Sequence, residues 1–450
     1  MTMINAYDSA QAEALSPADR ALIDRRAKAL GPAYRLFYDQ PLHITRSEGV
    51  WLYDKDGRRY LDAYNNVASV GHCHPRVVEA ITQQLGVLNT HTRYLHENVV
   101  TYAERLLATM PDAVGHVMFT CTGSEANDIA LRIARSYTRR EGVIVTRLAY
   151  HGLTEAVAEL SPSLGDFTPS LGEFTPRSPR IRLIDAPDTL RIPAALQGAK
   201  LAADLAQAIA EMRADGIEPA AFIVDTIFSS DGLHPDPAGF LQPSVDLIRA
   251  EGGLFIADEV QPGFARTGDA FWGFQRHGLV PDMVTMGKPM GNGFPLSGTA
   301  MRPKLVQEFG ERARYFNTFG GNPVAAAAGM AVLDVIADEG LQDNATAVGG
   351  FLKSGLQDIA TRYPEIGHVR GAGLFLAVEC VTARETNAPD AARAKFVVNH
   401  LRQNGVLISA TGPGANVLKI RPPLVLQQAE ATLFLEATEA AFAAARAEGV

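Results

Sequence analysis

Three groups of residues in this 450-residue chain have the side chains or backbone groups that catalysis needs. Asp258 and Glu259 follow the apolar run 254–257, and a carboxylate at the end of a buried strand requires a partner. Lys288 follows a second apolar run, 283–286, where an amine is costly unless it is paired or consumed in a covalent bond. The alternative for such a lysine is a long side chain that reaches the surface.

The third group is Gly123-Ser124, which separates the apolar run 117–120 from a helical pattern extending to about Arg140. Backbone N–H groups at a helix N-terminus attract anions, although the same pair also serves as an ordinary helix cap. An anion site, an amine and a carboxylate together are the set that pyridoxal 5′-phosphate requires for its phosphate, its Schiff base and its ring nitrogen. The three groups therefore predict this cofactor.

The motifs around these groups extend the pattern beyond single residues. They are Gly123-Ser124-Glu125-Ala126-Asn127, Tyr150-His151-Gly152, Asp258-Glu259-Val260-Gln261, Lys288 with Gly291 and Gly293, and Thr318-Phe319-Gly320-Gly321-Asn322-Pro323. Over about residues 25–424 the chain resembles the class III aminotransferase family of pyridoxal-phosphate enzymes of fold type I. The resemblance implies that such an enzyme is a homodimer with shared active sites.

The resemblance also implies a role for each residue of the motifs. Lys288 would form the Schiff base and act as the catalytic base, and Asp258 would pair with the ring nitrogen. The remaining cofactor contacts would be Tyr150 on one face of the ring, Val260 on the other, Gln261 near the ring hydroxyl, Gly123 and Ser124 at the phosphate, and Thr318 reaching that phosphate from a second subunit.

The substrate side departs from the pattern of many class III aminotransferases. These enzymes carry an arginine three residues before a Pro-Pro pair, where this chain has Lys419, and ornithine-type members keep a glutamate where Ser230 stands. Lysine is a poorer fork for a planar carboxylate but a good point charge for phosphate. The loops that contain Asn66 and Arg93 resemble the phospho-lyase branch of the family. The residues predicted to hold the substrate are Lys419, Arg93, Arg421 and Asn66.

These features predict a pyridoxal-phosphate phospho-lyase that eliminates phosphate from ethanolamine phosphate, or a close amino-phosphate, giving acetaldehyde, ammonia and phosphate. The alternative within the family is an ω-aminotransferase that moves an amine to a keto acid. Aminomutase or racemase chemistry on the same fold also stays open. A non-catalytic dimer that has kept the scaffold is a further alternative, against which the complete set of Asp258, Lys288 and Gly123-Ser124 argues.

The elements that carry these residues follow from the apolar pattern. Five short apolar runs that alternate with helical stretches predict an α/β fold, with a mostly parallel central sheet flanked by helices and a smaller α+β domain. We expect an N-terminal segment, 1–65, in the small domain, a large cofactor domain, 66–335, and a C-terminal small domain, 336–450. The other predicted elements are a helix over 17–30, a hairpin of strands 49–53 and 59–63, helices over 341–363 and 391–404, a strand over 373–379, and a helix after Gln427.

Composition limits the class of partner and the compartment. There are 41 Lys and Arg against 50 Asp and Glu, a formal net charge of −9 with no basic block, which argues against nucleic acid as a partner. Three cysteines argue against a disulfide framework and for a reducing compartment. The N-terminus lacks a secretory signal pattern and the longest apolar run is too short to span a bilayer, so we expect a cytoplasmic protein without a membrane anchor.

Two further features are predicted to have structural roles. His72, His74 and His151 fit loops of the family, which favours structural roles or supporting contacts to site residues over metal binding, and no spacing of carboxylates beside them supports a metal site. Two consecutive copies of a seven-residue repeat, 163–169 and 170–176, contain prolines that forbid a regular helix, so this segment is predicted to be a surface loop.

Overall fold

The computed structural model describes residues 5–165 and 178–450, so most of the repeat at 163–176 lies outside the described residues. The described strands are β1 Ile44–Glu48, β2 Trp51–Asp54, β3 Arg59–Asp62, β4 His116–Thr120, β5 Gly142–Thr146, β6 Ile181–Ile184, β7 Pro219–Asp225, β8 Leu254–Asp258, β9 Met283–Met286, β10 Ser297–Met301, β11 Ile366–Ala372, β12 Phe375–Cys380, β13 Val406–Leu407, β14 Ser409–Thr411 and β15 Val417–Ile420.

Helices fill most of the chain between these strands. The described α-helices are α1 Pro17–Leu30, α2 Pro75–Leu85, α3 Glu97–Leu107, α4 Gly123–Thr138, α5 Glu155–Ala158, α6 Gln197–Ala214, α7 Gln242–Ala250, α8 Gly273–Arg276, α9 Pro303–Arg312, α10 Pro323–Asp338, α11 Leu341–Arg362, α12 Ala391–Gln403 and α13 Gln428–Ala447. None of them is both long enough and apolar enough to traverse a bilayer.

The central sheet has seven strands in the order β4-β10-β9-β8-β7-β5-β6. The neighbours from β9 through β6 are parallel, whereas β10 runs antiparallel to both β4 and β9. The inner strands β5, β8 and β9 are buried at every position because helices cover both faces of the sheet. The predicted mostly parallel sheet is confirmed.

Two smaller sheets bring distant parts of the chain together. In the first, the antiparallel hairpin β2–β3 pairs with β1 on one side, and β13 from the C-terminal part joins β3 in parallel on the other. The second sheet is antiparallel, in the order β11-β12-β15-β14. The predicted hairpin is confirmed, and its connection contains Gly57 at φ +81°, a conformation that glycine adopts without strain.

The alanine-rich helix α10 is buried along most of its length and packs against α2 and α3. Gly329 allows this approach, since a Cβ there would lie 2.4 Å from the ring of Tyr102 on α3. The helix predicted over 17–30 is confirmed with its bounds, because the Ser16 hydroxyl caps its first turn and Gly31 follows its last residue. Cys73, Cys121 and Cys380 are all free thiols.

Candidate active site

A cavity of about 520 Å³ opens at the carboxyl ends of the central strands. Asp225 and Asp258 end β7 and β8 and are direct neighbours in the strand register, and Asp258 pairs with Thr285 of β9. Parallel strands present their last residues at one edge of the sheet, so the topology alone brings these side chains together. The predicted cofactor residues that line the cavity are Gly123, Ser124, Tyr150, Asp258, Val260, Gln261 and Lys288.

Asp258 is buried and accepts three hydrogen bonds. Its Oδ1 accepts the N–H of Val260 at 3.1 Å. Its Oδ2 lies 2.7 Å from Nδ1 of His151 and accepts Nδ2 of Asn127 at 3.1 Å. These three hydrogen bonds hold the carboxylate in one orientation at the end of β8.

Lys288 lies three residues after Thr285, and its Nζ is 5.8 Å from the centre of the Tyr150 ring. No carboxylate in the described part of the chain forms an ion pair with it. Burial and, to a smaller extent, the nearby Arg421 guanidinium lower the pKa of Lys288, Asp258 and Asp225 oppose the shift, and the resulting pKa is about 8. A neutral amine is therefore accessible near physiological pH, as nucleophilic chemistry requires.

This pKa predicts how cofactor-free protein recombines with pyridoxal phosphate. Only the unprotonated amine attacks an aldehyde, so the rate constant of recombination should rise with pH and level off above about 8, the pKa of Lys288. Stopped-flow absorbance of the lysine-bound cofactor measures this rate constant. A rate constant that keeps rising up to the ordinary pKa range of lysine would contradict the prediction.

The opposite end of the cavity is the N-terminus of α4. The Thr122 hydroxyl accepts the N–H of Glu125 at 3.2 Å, and the Glu125 carboxylate accepts the N–H of Thr122, so the helix start is fixed by a reciprocal cap. Ser124 Oγ accepts the N–H of Leu153 at 3.1 Å. The first turn of α4 thus has the form of an anion site.

Gly152 keeps the two sides of this anion site in contact. Its φ is +141°, and a Cβ there would lie 2.5 Å from Ser124 Oγ. We expect Gly152→Ala to displace Ser124 and weaken cofactor binding roughly tenfold or more, measured by titration of the apoprotein. Gly239→Ala is the matched control, since Gly239 also has a positive φ but has no atom within 4 Å of the added Cβ. Equal loss of affinity in both variants would contradict the proposed contact.

Gln261 belongs to a buried chain of hydrogen bonds behind the cavity. Its Oε1 accepts Nη1 of Arg421, and its Nε2 donates to Oγ of Ser229. Ser229 Oγ in turn donates to Oδ2 of Asp225. Burial raises the pKa of Asp225, the Ser229 hydroxyl opposes that shift, and the neighbouring Asp258 adds to it. Arg421 also lies 4.8 Å from the Tyr64 ring, so its guanidinium is engaged with protein groups.

Lys419 lies on β15, two residues before Arg421, and is only 6% exposed. In the described ranges its ammonium has no ion-pair partner. Burial lowers the pKa of Lys419 well below its usual range, the Arg421 guanidinium adds to this, and Asp225 opposes it. A buried ammonium without a bound anion is electrostatically unfavourable, and an anion would relieve that cost.

The structure does not bring every predicted residue into this cavity. Arg93 is exposed, and its guanidinium lies 3.8 Å from the ring of Phe316. Thr318 is exposed on the loop that follows Phe316 and does not line the cavity of its own chain. Asn66 is buried, with its Nδ2 unpartnered among the described residues, and its neighbour Val67 lines the cavity. Lys419 and Arg421 are not among the residues that line the cavity either, but Arg421 donates to Gln261, which does line it.

The sequence did not predict four polar residues of the site: His151 and Asp225 line the cavity, and Asn127 and Ser229 donate hydrogen bonds to Asp258 and Asp225 behind it. Asn127 and His151 belong to the motifs at 123–127 and 150–152, but no contact with Asp258 was predicted for them. Asp225 and Ser229 were not predicted as site residues. A signal existed for Asp225, because a carboxylate that ends an apolar strand is the same pattern that identified Asp258. Glu259 does not enter the site, since it accepts the N–H groups of Gly273 and Phe274 at 2.7 and 2.8 Å.

The residues around the cavity fit pyridoxal phosphate on structural grounds. One end offers a capped helix N-terminus, the other a hydrogen-bonded carboxylate, and between them lie an amine without an ion pair and the side chains of Tyr150 and Val260. A Cβ on Gly123 would lie 3.0 Å from Val260, so glycine keeps that end of the cavity open. The fold and this site define a pyridoxal-phosphate enzyme.

A family model described as Aminotransferase class-III matches residues 36–442, and the chain belongs to this family. Pyridoxal 5′-phosphate is its cofactor, and the protein is an enzyme of the lyase or aminotransferase type. The prediction of family, fold and cofactor is confirmed.

Relatives of both types are similar over nearly the whole chain. A Drosophila melanogaster protein named alanine–glyoxylate aminotransferase 2-like is 39% identical over 92% of this chain and 85% of its own length. A Caenorhabditis elegans protein named ethanolamine-phosphate phospho-lyase homolog 1 is 36% identical over 90% of each chain. A phospholyase from Arthrobacter, solved in complex with phosphoethanolamine, has a TM-score of 0.89 and 42% identity, covering 94% of this chain and 99% of that one.

Proposed function

We propose that this enzyme is a phospho-lyase that eliminates phosphate from ethanolamine phosphate or a close amino-phosphate. The observation that carries the proposal is the buried Lys419 side chain, whose nitrogen lacks an ion-pair partner in the described part of the chain and would be stabilised in its charged form by a bound anion. It stands where many aminotransferases of the family have a carboxylate-binding arginine. A compact point charge suits a phosphate group better than a planar carboxylate.

The contacts of Arg421 with other protein groups support the same substrate class. Its Nη1 donates to Gln261 and its guanidinium lies over Tyr64, so the bidentate fork that a carboxylate would need is already partly used. The similarity to the phospholyase solved with phosphoethanolamine supports the proposal independently. Roles for Arg93 and Asn66 at the substrate phosphate are part of this proposal.

The chain's own groups account for the steps of an elimination. Bound pyridoxal phosphate supplies an electron sink for the carbon that carries the substrate amine. The neutral Lys288 amine takes a proton from that carbon, while Asp258 holds the positive charge of the cofactor ring. The bond from the adjacent carbon to the phosphate oxygen breaks, its electron pair leaves with phosphate, and Lys419 stabilises the departing charge. Water then converts the released enamine into acetaldehyde and ammonia.

The test is a reaction without an amine acceptor. Pure holoenzyme is incubated with ethanolamine phosphate, and inorganic phosphate and acetaldehyde are measured with no keto acid present. We expect the two products in equal amounts. Turnover that appears only when pyruvate or 2-oxoglutarate is added would overturn the proposal and establish the aminotransferase.

An ω-aminotransferase is the second candidate function. The observation that favours it is the 39% identity to the Drosophila melanogaster protein named alanine–glyoxylate aminotransferase 2-like. The same incubation with alanine as amine donor and glyoxylate as acceptor measures this activity directly.

We further propose a homodimer with shared active sites. The two segments that contain Arg93 and Thr318 also expose large apolar side chains. These are Val87 and Leu95 near Arg93, and Phe316 and Phe319 near Thr318. Such a surface is typical of a subunit interface. A second copy seated there would supply Thr318 and Arg93 to a cavity that lacks them within one chain.

Subunit mixing tests the shared site. Lys288→Ala and Arg93→Ala variants are each expected to be nearly inactive, and refolding them together forms hybrid dimers in which about a quarter of all sites regain a complete residue set. Recovery of activity on mixing supports the shared site. No recovery, in a mixture shown to contain hybrids, would contradict it.

A further inference from the structure

The buried carboxylate of Asp231, 5% exposed, holds the end of β5 from behind the cofactor cavity. Its Oδ2 accepts the hydroxyl of Thr146, the last residue of β5, at 2.8 Å, and its Oδ1 accepts the backbone N–H of Leu148 at 3.0 Å. Tyr150, which lines the cofactor cavity, follows Leu148 by two residues. Asp231 itself lines a separate cavity of about 290 Å³, so it acts on the cofactor only through other residues.

The hydrogen bond from Leu148 to Asp231 fixes the backbone between β5 and Tyr150. The N–H groups of residues 147 and 149 donate to main-chain carbonyls of β6 and β5 at 3.0 and 3.2 Å, and the N–H between them has Asp231 as its acceptor. Without the carboxylate this half-buried N–H would lose its partner, which is unfavourable, and the backbone would turn to satisfy it. A turn there changes the direction of the Tyr150 side chain.

The loop that carries Asp231, residues 226–233, is itself held by the antiparallel sheet β11-β12-β15-β14. Arg370 on β11 donates to the carbonyl of Leu233 at 2.7 Å, and the hydroxyl of Thr411 on β14 donates to another carbonyl of the loop at 2.9 Å. Leu233 has a φ of +67°, a conformation that a leucine keeps only when its surroundings hold it. The carboxylate is therefore presented to β5 from a fixed support.

The two donors match an ionised carboxylate, which only accepts hydrogen bonds. Burial raises the pKa of Asp231 to about 6 while the donors Thr146 and Leu148 oppose the shift, so the side chain is mostly ionised at neutral pH. Asparagine has the same shape, and its oxygen can accept the N–H of Leu148 while its amide donates to the hydroxyl of Thr146. Asp231→Asn should thus keep the link that Asp231→Ala removes.

We propose that Asp231 is a positioning residue: by bonding Thr146 and Leu148 it fixes the backbone that leads to Tyr150, and so sets the ring of Tyr150 against the cofactor. The inference rests on the proposed contact of Tyr150 with the cofactor ring. It holds for an elimination as for a transamination, because both begin with the same bound cofactor.

The test follows the bound cofactor without substrate. Apoprotein of each variant is titrated with pyridoxal phosphate at neutral pH, and the dissociation constant and the induced circular dichroism of the cofactor are measured. Asp231→Ala should weaken the circular dichroism and raise the dissociation constant roughly 10- to 100-fold, because Tyr150 no longer holds the ring in one orientation. Asp231→Asn should stay within a few-fold of the parent.

A double-mutant cycle shows whether Asp231 acts through Tyr150. In a Tyr150→Leu variant the aromatic contact is already lost, so adding Asp231→Ala should raise the dissociation constant by no more than a few-fold. Asp390→Ala is the matched control, since the Asp390 carboxylate also accepts one backbone and one side-chain N–H, those of Arg393 at 2.9 and 3.1 Å, but caps α12. It should keep the parental affinity and circular dichroism even where its melting temperature falls.

Two outcomes would overturn the inference. One is parental affinity and circular dichroism in Asp231→Ala or, if that variant does not fold, in Thr146→Val, which removes the donor to Oδ2. The other is an equal loss of affinity when the same substitution is added to the parent and to Tyr150→Leu. Because no substrate is present, a failure to release phosphate from ethanolamine phosphate would leave these measurements unaffected.

Discussion

The Lys288→Ala variant should lose both the absorbance of the lysine-bound cofactor and the catalytic activity. The amine at position 288 is the proposed covalent anchor and the proposed base, so one substitution removes two functions. Loss of a general base alone lowers a rate by roughly 10²- to 10⁴-fold. The measurements are the absorbance spectrum after dialysis and the initial rate of phosphate release from ethanolamine phosphate.

The surface variant Lys304→Ala is the control for this experiment, because Lys304 is exposed on α9 and lies 6.0 Å from the ring of Tyr137. It should keep the spectrum and the rate. A small external amine should restore part of the rate to Lys288→Ala, since it supplies a base to the space left by the side chain. Full activity of Lys288→Ala without added amine would refute the assignment of the base.

The second large effect is expected from Lys419→Met, which removes the buried charge at nearly constant volume. Loss of a buried charge partner costs about 2–5 kcal/mol, which is roughly a 30-fold to several thousand-fold decrease in kcat/KM for ethanolamine phosphate. The unliganded variant should be at least as stable as the parent in thermal unfolding, because folding no longer buries a lysine nitrogen without an ion-pair partner in the described part of the chain.

The control for Lys419→Met is a substrate without phosphate. Binding of ethanolamine to the holoenzyme, measured by the cofactor absorbance, should be equal in parent and variant because ethanolamine carries no phosphate for Lys419 to bind. If kcat/KM for ethanolamine phosphate stays within a few-fold of the parent value, Lys419 is not the phosphate anchor. The pair of measurements separates a local loss of charge from a general disturbance of the site.

The central sheet and the residues at its edge were predictable because local signals agree with one another. The apolar runs at 254–257 and 283–286 are strand-like in composition and end in polar residues, so their partners in the sheet followed from the α/β pattern. Strand β10, Ser297–Met301, was not predicted, since Ser-Gly-Thr-Ala-Met contains only one β-branched residue and its place is decided by pairing with β4 and β9.

The network behind the cavity was not predictable from spacing. Arg421 and Gln261 are separated by 160 residues and Gln261 and Ser229 by 32, and no local pattern relates residues that meet only after two sheets, the central one and the one that contains β15, have come together. For the same reason the sequence could identify Lys419 as unusual but could not show that it is buried without an ion-pair partner in the described part of the chain. The roles of the individual site residues stay predictions until the variants are measured.

The parallel pairing of β3 with β13 also has a consequence for synthesis of the protein. The Tyr38 hydroxyl donates to the carbonyl of Ile408, 370 residues later, and the N–H of Arg421 donates to the carbonyl of Ala63 at 2.8 Å. During translation the N-terminal hairpin is therefore synthesised long before its partner β13, and the outer edge of β3 stays unpaired. An unpaired strand edge is prone to pairing with other nascent chains. The growing polypeptide must be almost complete before that edge is closed and the catalytic pocket can assemble.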